Sequence, residues 1–451
     1  MPIKPYFLTT DILVFVLLGA VVAFGIYAAR HEHLRAPWRQ VLRRPMAMAS
    51  AVVLLFYVGI GLLDSLHYQV RLPNSSEGQA KYSPQIKSVL DALTKTLKDH
   101  QERTYSAPFA THAFTKETVE HPDGHKTREA PRLKHGGRHL EKVEDRGADI
   151  AWRVVKATLV TFALGMLLTT LYIALVTLSA RRKNASFGEK WSAVLSNLCR
   201  GRTDIPWRAI LVTVLALIWF GAFVVFVAPY YHILGTDQVG QDVFLKSLKS
   251  IRTGLLIGTL TTLVMLPFAV ILGMMAGYFR GVVDDVIQYL YTTLSSIPGV
   301  LLIAASVLSL QIYMAAHPQQ FESVVARSDT RLLFLCLILG VMSWTGLCRL
   351  LRGETLKLRE ADYVASAHAL GSRDSVILAR HVLPNVMHIV LITVVLDFSD
   401  LVLAEAVLSY VGVGVDPTMD SWGNMINGAR LEMAREPMVW WSLASAFAFM
   451  F

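Results

Sequence analysis

The sequence predicts an all-α, polytopic membrane protein with about nine transmembrane helices, and three observations carry that prediction. Of 451 residues, 53% are apolar and only 17% are charged, against roughly 25% charged in soluble domains. Mean hydropathy is +0.45 although one long stretch is strongly polar, so other stretches are close to pure hydrocarbon. Several runs are also long enough to cross about 30 Å of bilayer core. Together these exclude a cytosolic enzyme, a disordered regulator and a secreted disulfide scaffold. Cys199, Cys336 and Cys348 are too few for a framework of bridges, and the two in apolar runs read as small buried hydrophobes.

The apolar runs cover residues 11–29, 46–66, 154–180, 209–228, 254–278, 283 to about 314, 332–350, 386–411 and 438–451. The sixth has a polar first half and Pro298-Gly299 in its middle. The last has 14 residues, too few to cross, so the native chain is expected to continue past Phe451. The first run is too long for the apolar core of a signal peptide and lacks a basic flank, so it reads as an anchor.

Lysine and arginine set the orientation, because short basic loops stay on the cytoplasmic side. Arg30, Arg35, Arg39, Arg43 and Arg44 crowd residues 30–45, and residues 181–208 and 349–385 are similarly basic. The alternate loops are poorer: Lys4 before the first span, Arg327 and Arg331 in 315–331, Arg430 and Arg435 in 412–437. Threading nine spans in order puts every basic-rich loop on one side, with the N-terminus outside. The net charge of +9 thus marks the inner faces of membrane loops rather than a nucleic-acid surface.

The polar stretch of about 67–152 is then an external insertion. Ser83-Pro84 can open an amphipathic helix there, since Ile86, Val89, Leu90, Leu93 and Leu97 share a face. Beyond Tyr105 the text is turn-rich and reads as irregular. Seven of the 14 histidines lie in this insertion, including His121-x3-His125 and His135-x3-His139. On a helix that spacing would invite zinc, but Pro-Asp-Gly and Gly-Gly-Arg intervene, so solvated loop histidines are expected and no metal. No string matches the nucleotide-binding G-x4-G-K-[ST] loop, and there is no G-x-S-x-G, CxxC or H-E-x-x-H. No catalytic residues and no cofactor are therefore expected in this chain.

The inner loop at about 351–385 carries the most information. Residues 356–370 can form one helix, with Leu356, Tyr363, Ala367 and Leu370 near a common stripe and Gly371 as its stop. Ser372 can cap a second helix running towards Leu383-Pro384. Such a stop and restart builds a rigid bracket, and the small Ala365, Ser366 and Ala367 allow a partner's backbone to approach closely. A plain interfacial helix would share the stripe without needing the stop.

This stretch resembles the EAA loop of ABC-importer permeases, specifically of the oligopeptide/dipeptide class, whose pattern runs D-Y-V-E-A-A-R-A-L-G and later R-H-I-L-P-N. Asp362, Tyr363, Val364, Ala367, Ala369, Leu370 and Gly371 match, as do Arg380, His381, Leu383, Pro384 and Asn385. Ala365 stands where the motif has Glu, Ser366 replaces its first Ala, and His368 replaces Arg. Three further blocks resemble the same class in the same order. Residues 235–255 match its outer segment (Gly235, Asp237, Gly240, Asp242, with Gln241 where Arg is usual), and 276–287 match its next inner turn. Residues 403–426 match its last outer loop (Gly412, Gly414, Trp422, Gly423, Asn424).

The resemblance covers about 207–451. It implies a type I ABC importer permease core there, preceded by a three-span N-terminal extension over 1–206. It further implies a second homologous permease, two ABC ATPase subunits binding ATP and Mg, an extracytoplasmic substrate-binding protein and a peptide substrate. The site would be a bacterial inner membrane, in contact with lipid and with no nucleic acid. Nickel and glycoside importers share the class, and a secondary transporter or channel is the reading from outside it. Such a transporter would show broken helices in both halves, and only one interruption occurs. Ionisable and polar residues at membrane depth are costly, which makes Asp397, Asp400, Glu405, Thr292 and Ser296 candidates for a translocation pathway, with polar packing between helices as the alternative.

Overall fold

The computed structural model describes residues 3–30, 40–71, 82–120, 126–179, 196, 200–201, 205–321 and 323–451. Its N-terminal part begins with strand β1 (Ile3–Tyr6) and helices α1 (Thr9–Arg30) and α2 (Pro45–Ser65). Strands β2 (His67–Arg71) and β3 (Tyr82–Ser88) follow, then the short helices α3 (Val89–Leu93) and α4 (Lys95–Asp99). A hairpin of β4 (Glu117–Glu120) and β5 (Lys126–Glu129) leads into α5 (Arg146–Ser179). The first three strands form one antiparallel sheet in the order β1-β2-β3. Residues ahead of the first span are thereby stitched to residues behind the second, so both lie on one side of the membrane.

The helix expected from Ser83-Pro84 is instead the edge strand β3. Its exposed Gln85 and Lys87 alternate with the inward Ile86 and Ser88, and an edge strand tolerates Pro84. Helix formation waits for Ser88, whose hydroxyl accepts from the Asp91 N–H at 3.0 Å while Asp91 accepts from the Ser88 N–H at 3.3 Å. That reciprocal cap needs an acid three residues on, which Ser83 lacks. The turn-rich text beyond Tyr105 contains the β4–β5 hairpin. His135 stacks on His100 and His139 bonds Asp149 at 2.8 Å, whereas His121, His125 and Cys199 lie outside the described residues.

The remainder comprises α6 (Trp207–Val227), α7 (Val243–Phe279), α8 (Gly281–Ser296), α9 (Gly299–Ala316), α10 (Val324–Arg359), α11 (Asp362–Ala369), α12 (Asp374–Ile377), α13 (Leu383–Tyr410), α14 (Trp422–Met433) and α15 (Trp441–Met450). Among the described residues eight helical segments are long and apolar enough to span a bilayer, and α15 is a shorter apolar helix. The chain is a multi-pass, mainly helical membrane protein. The sixth expected span is two helices. Ile297, placed before Pro298, takes an extended conformation (φ −82°, ψ 129°), as a residue preceding proline prefers, and α8 ends there.

Close packing centres on α7 and α10. A Cβ on Gly273 would come within 2.9 Å of the Cys348 carbonyl oxygen, and one on Gly277 within 2.6 Å of Thr355 Cβ. Small residues four apart let the two backbones approach, which in a membrane supplies much of the helix association. Arg352 clamps α8 to the same pair by two bonds to Asp284, at 2.6 and 2.7 Å.

The N-terminal helices lie directly on this body. Buried Asp11 of α1 accepts from Arg252 of α7 at 2.6 Å and meets His67 at 2.8 Å, and Thr10 donates to Asp329 of α10. Each of these buried polar groups is satisfied by a partner from another element, which keeps the cost of burial low.

Candidate functional site

Two surfaces hold most of the residues singled out by sequence. At one end of the helical body α10 runs well beyond the apolar run and stops at Glu360. The chain turns through Ala361 and re-enters helix as α11, so the single helix expected over 356–370 is broken. Ala361 is extended (ψ 141°) and ends the preceding periodicity without any proline or glycine. Val364 and Ala367 of α11 are buried among Tyr278, Leu351, Ile377 and Val386. Asp362, Tyr363, Ala365, Ser366 and Leu370 face outward, and Leu370 is 86% exposed.

The end of α11 is defined by Gly371 at φ +75°, where the Gly371 N–H donates to the His368 carbonyl at 2.9 Å and Ser372 N–H to Ala367 at 3.1 Å. This double bond pattern around a left-handed glycine is the Schellman stop. Arg373 rather than Ser372 then precedes α12, and its side chain makes no cap. A wider turn at Leu378–Val382 follows, closed by Leu383 N–H to the Leu378 carbonyl. Pro384 has no N–H for the usual i−4 bond, and this is where the helix widens before entering α13. The Tyr278 hydroxyl donates to Asp374 at 2.8 Å and Asn385 donates to the Tyr363 hydroxyl at 3.1 Å, so both arms of the bracket are pinned to long helices.

At the opposite end of α7 residues 228–242 form a clasp with residues of the polar stretch. His232 is buried between two carboxylates: its Nδ1 bonds Asp242 at 2.8 Å and its Nε2 faces Glu102 at 3.5 Å. Glu102 also accepts the backbone N–H groups of Lys134, His135 and Gly136 at 2.7–3.0 Å. Burial alone would depress the imidazole, but Asp242 and Glu102 outweigh it and raise the pKa to about 9. Glu102 is likewise held down to about 2, because His232 and three N–H donors overcome its burial.

Asp242 caps α7 through the Phe244 and Leu245 N–H groups, while Asp237 pairs with Lys246. Gly235 and Gly240 are left-handed, and a Cβ on Gly240 would strike the Glu102 carbonyl oxygen at 2.0 Å. The Trp441 indole donates to the Thr236 carbonyl at 2.9 Å, which ties α15 into the clasp.

In the loop after α13 Gly412 turns the chain at φ +87°, and Asn424 donates to the Asp416 and Met419 carbonyls at 2.9 Å. Trp422 donates to the Ser247 carbonyl at 3.3 Å, while Gly414 and Gly423 allow contact with Ser409. Glu405 points into this junction, 2% exposed, and accepts the Ser409 and Ser421 hydroxyls at 2.6 and 3.1 Å. It is thus not brought together with Asp397, which is half-buried, and Asp400, which is exposed on the open face of α13. Thr292 and Ser296 are exposed on α8. Sequence reasoning missed Glu102, His232, Arg252 and Asp329. The usable signal was the presence of Asp11 in an apolar run, which demands a partner.

Residues 269–451 match the family described as binding-protein-dependent transport system inner membrane component. A glutathione transport system permease protein of Pectobacterium atrosepticum is 31% identical over 46% of this chain and 63% of its own. An oligopeptide transport system permease protein of Bacillus subtilis is 27% identical over 43% and 58%. A dipeptide transport system permease protein of Lactococcus lactis is 28% identical over 44% and 52%. The chain therefore spans between about half and three fifths of these relatives. Residues 269–451, about two fifths of the chain, are thus similar to binding-protein-dependent transport system inner membrane components, and the relatives named are permease proteins of glutathione, oligopeptide and dipeptide transport systems.

Proposed function

We propose that this chain is a permease subunit of an ATP-driven peptide importer and lines the translocation pathway together with a second, homologous permease. The carrying observation is the bracket: α11 is anchored by Val364 and Ala367, yet offers Ala365, Ser366 and an 86% exposed Leu370 to the inner side. Of two ATPase subunits, which hold ATP and Mg, one docks on that surface and the other on the corresponding loop of the second permease. An external binding protein delivers substrate to the clasp side, where the N-terminus also lies. Nucleotide-driven closure of the ATPases displaces the bracket as a unit. Because a ligand shifts a conformational equilibrium only through differential contact, the ATPase must grip the bracket differently in its two states.

The test is site-directed crosslinking. With the native cysteines replaced by serine, Leu370→Cys in the assembled transporter should crosslink to an ATPase companion, with a yield that changes on adding ATP. Absence of any crosslink in every nucleotide state would sink the reading.

The open face of α13 is the proposed route for the substrate ammonium, with Thr292 and Ser296 of α8 as further polar lining. Asp397→Asn with Asp400→Asn should lower uptake of peptides with free N-termini several-fold more than uptake of N-acetylated ones. Equal loss for both would assign these carboxylates to packing.

A further inference from the structure

A cavity of about 410 Å³ opens between the end of α9, the start of α10 and the loop after α13, remote from the bracket. Its polar wall is Arg327, Arg331, Asp416 and Gln311, and its apolar wall includes Met314 and Pro318. Arg331 is only 6% exposed, and its Nε has no hydrogen-bond partner. A guanidinium so far removed from water ordinarily has a carboxylate in bidentate contact. Among the described residues the carboxylate in reach is that of Asp416, 3.6 Å away. Asp416 is held by its own loop through Oδ1, which accepts the Thr418 N–H at 2.9 Å and the Thr418 hydroxyl at 2.7 Å, and only its Oδ2 faces Arg331. Asp329, two residues before Arg331, is taken up by Thr10 on another face of α10.

Arg327 lies one turn earlier on the same helix, and it too lines the cavity. The positive N-terminal end of α10, capped by Ser323, adds to the field. Among the described residues lining the cavity, two guanidinium groups face one carboxylate, which leaves a surplus of positive charge. Its volume falls within the usual range for small-molecule sites, about 300–1,000 Å³.

We infer that this outer cavity is a binding site for a single carboxylate or phosphate group, held by Arg331 with Arg327 as its outer partner. Met314 and Pro318 receive the apolar portion attached to that group. The site goes beyond the coupling role of the bracket and does not depend on it, since binding needs neither nucleotide nor companion subunits.

The anion has two possible sources, a peptide C-terminus or a phospholipid headgroup, and one experiment separates them. The full chain in phosphatidylcholine nanodiscs is titrated with alanyl-alanine and with its C-terminal amide, and separately transferred to phosphatidylglycerol nanodiscs. Binding is read by calorimetry for the peptides and by thermal stability for the lipid. A response to the free peptide at least tenfold stronger than to the amide, and abolished by Arg331→Gln, assigns the site to peptide carboxylates. Stabilisation by phosphatidylglycerol that Arg331→Gln removes assigns it to lipid phosphate, and either result supports the inference. Arg327→Gln, an exposed change that should leave the fold intact, must weaken the same response several-fold. No preference for either anion in the wild-type chain, or a preference that survives both substitutions, would overturn it.

Discussion

Gly371→Val should lower substrate uptake at least tenfold while the chain still inserts and companion ATPases still hydrolyse ATP. Nothing lies within 4 Å of where a Cβ at Gly371 would sit, so the loss does not come from a clash. It comes from the backbone: at φ +75° an L-residue costs about 1–2 kcal/mol, more for a β-branched one. Leaving that conformation would break the bonds from Gly371 to His368 and from Ser372 to Ala367, at roughly 0.5–1.5 kcal/mol each. The end of α11 would then fray while Val364 and Ala367 kept its base attached. Asparagine tolerates the left-handed region, so Gly371→Asn should retain most of the uptake. Uptake and hydrolysis measured together in proteoliposomes check both variants, and undiminished uptake by the valine variant would remove the bracket from the mechanism.

The outer clasp should respond as strongly, and with a pH signature. Glu102→Ala leaves the buried His232 imidazolium with Asp242 as its one counter-charge and three backbone N–H groups without their acceptor, a loss of about 3–5 kcal/mol for a broken buried pair. Thermal unfolding should therefore move down by many degrees. In the wild-type chain the His232 contribution is complete below its ordinary value of 6.5 and fades as pH rises through about 9. The Glu102 contribution is complete above its ordinary 4.5 and fades only as pH falls through about 2. Stability should thus decline between pH 7 and 10, and Glu102→Ala should flatten that decline. A wild-type melting temperature constant across this range would show that the clasp does not hold a charged imidazole.

Features with a local cause were legible in the sequence. Hydrocarbon runs located the spans, Gly371 announced a helix stop, and Pro298 announced an interruption. Where the cause lay elsewhere in the chain, local reading failed. Residues 82–88 share an apolar stripe with the helix behind them, yet pairing with β2 makes them a strand, and only the Ser88–Asp91 spacing betrays the true start of α3. The break at Ala361 carries neither proline nor glycine and depends on burying Val364 and Ala367. The clasp joins Glu102 to His232 across 130 positions, and Arg252 to Asp11 across 241, distances over which no periodicity speaks.

One helix touches nearly all of these places. At 37 residues, α7 is about 55 Å long at 1.5 Å per residue. Asp242 welds its upper end to the clasp, Arg252 carries the N-terminal helices, Gly273 and Gly277 press it to α10, and Tyr278 holds the bracket. A displacement entering at Tyr278 would travel up this single pushrod towards the opposite face. The rod has one place to give, Pro267, where a backbone bond is missing and the two halves can flex against each other.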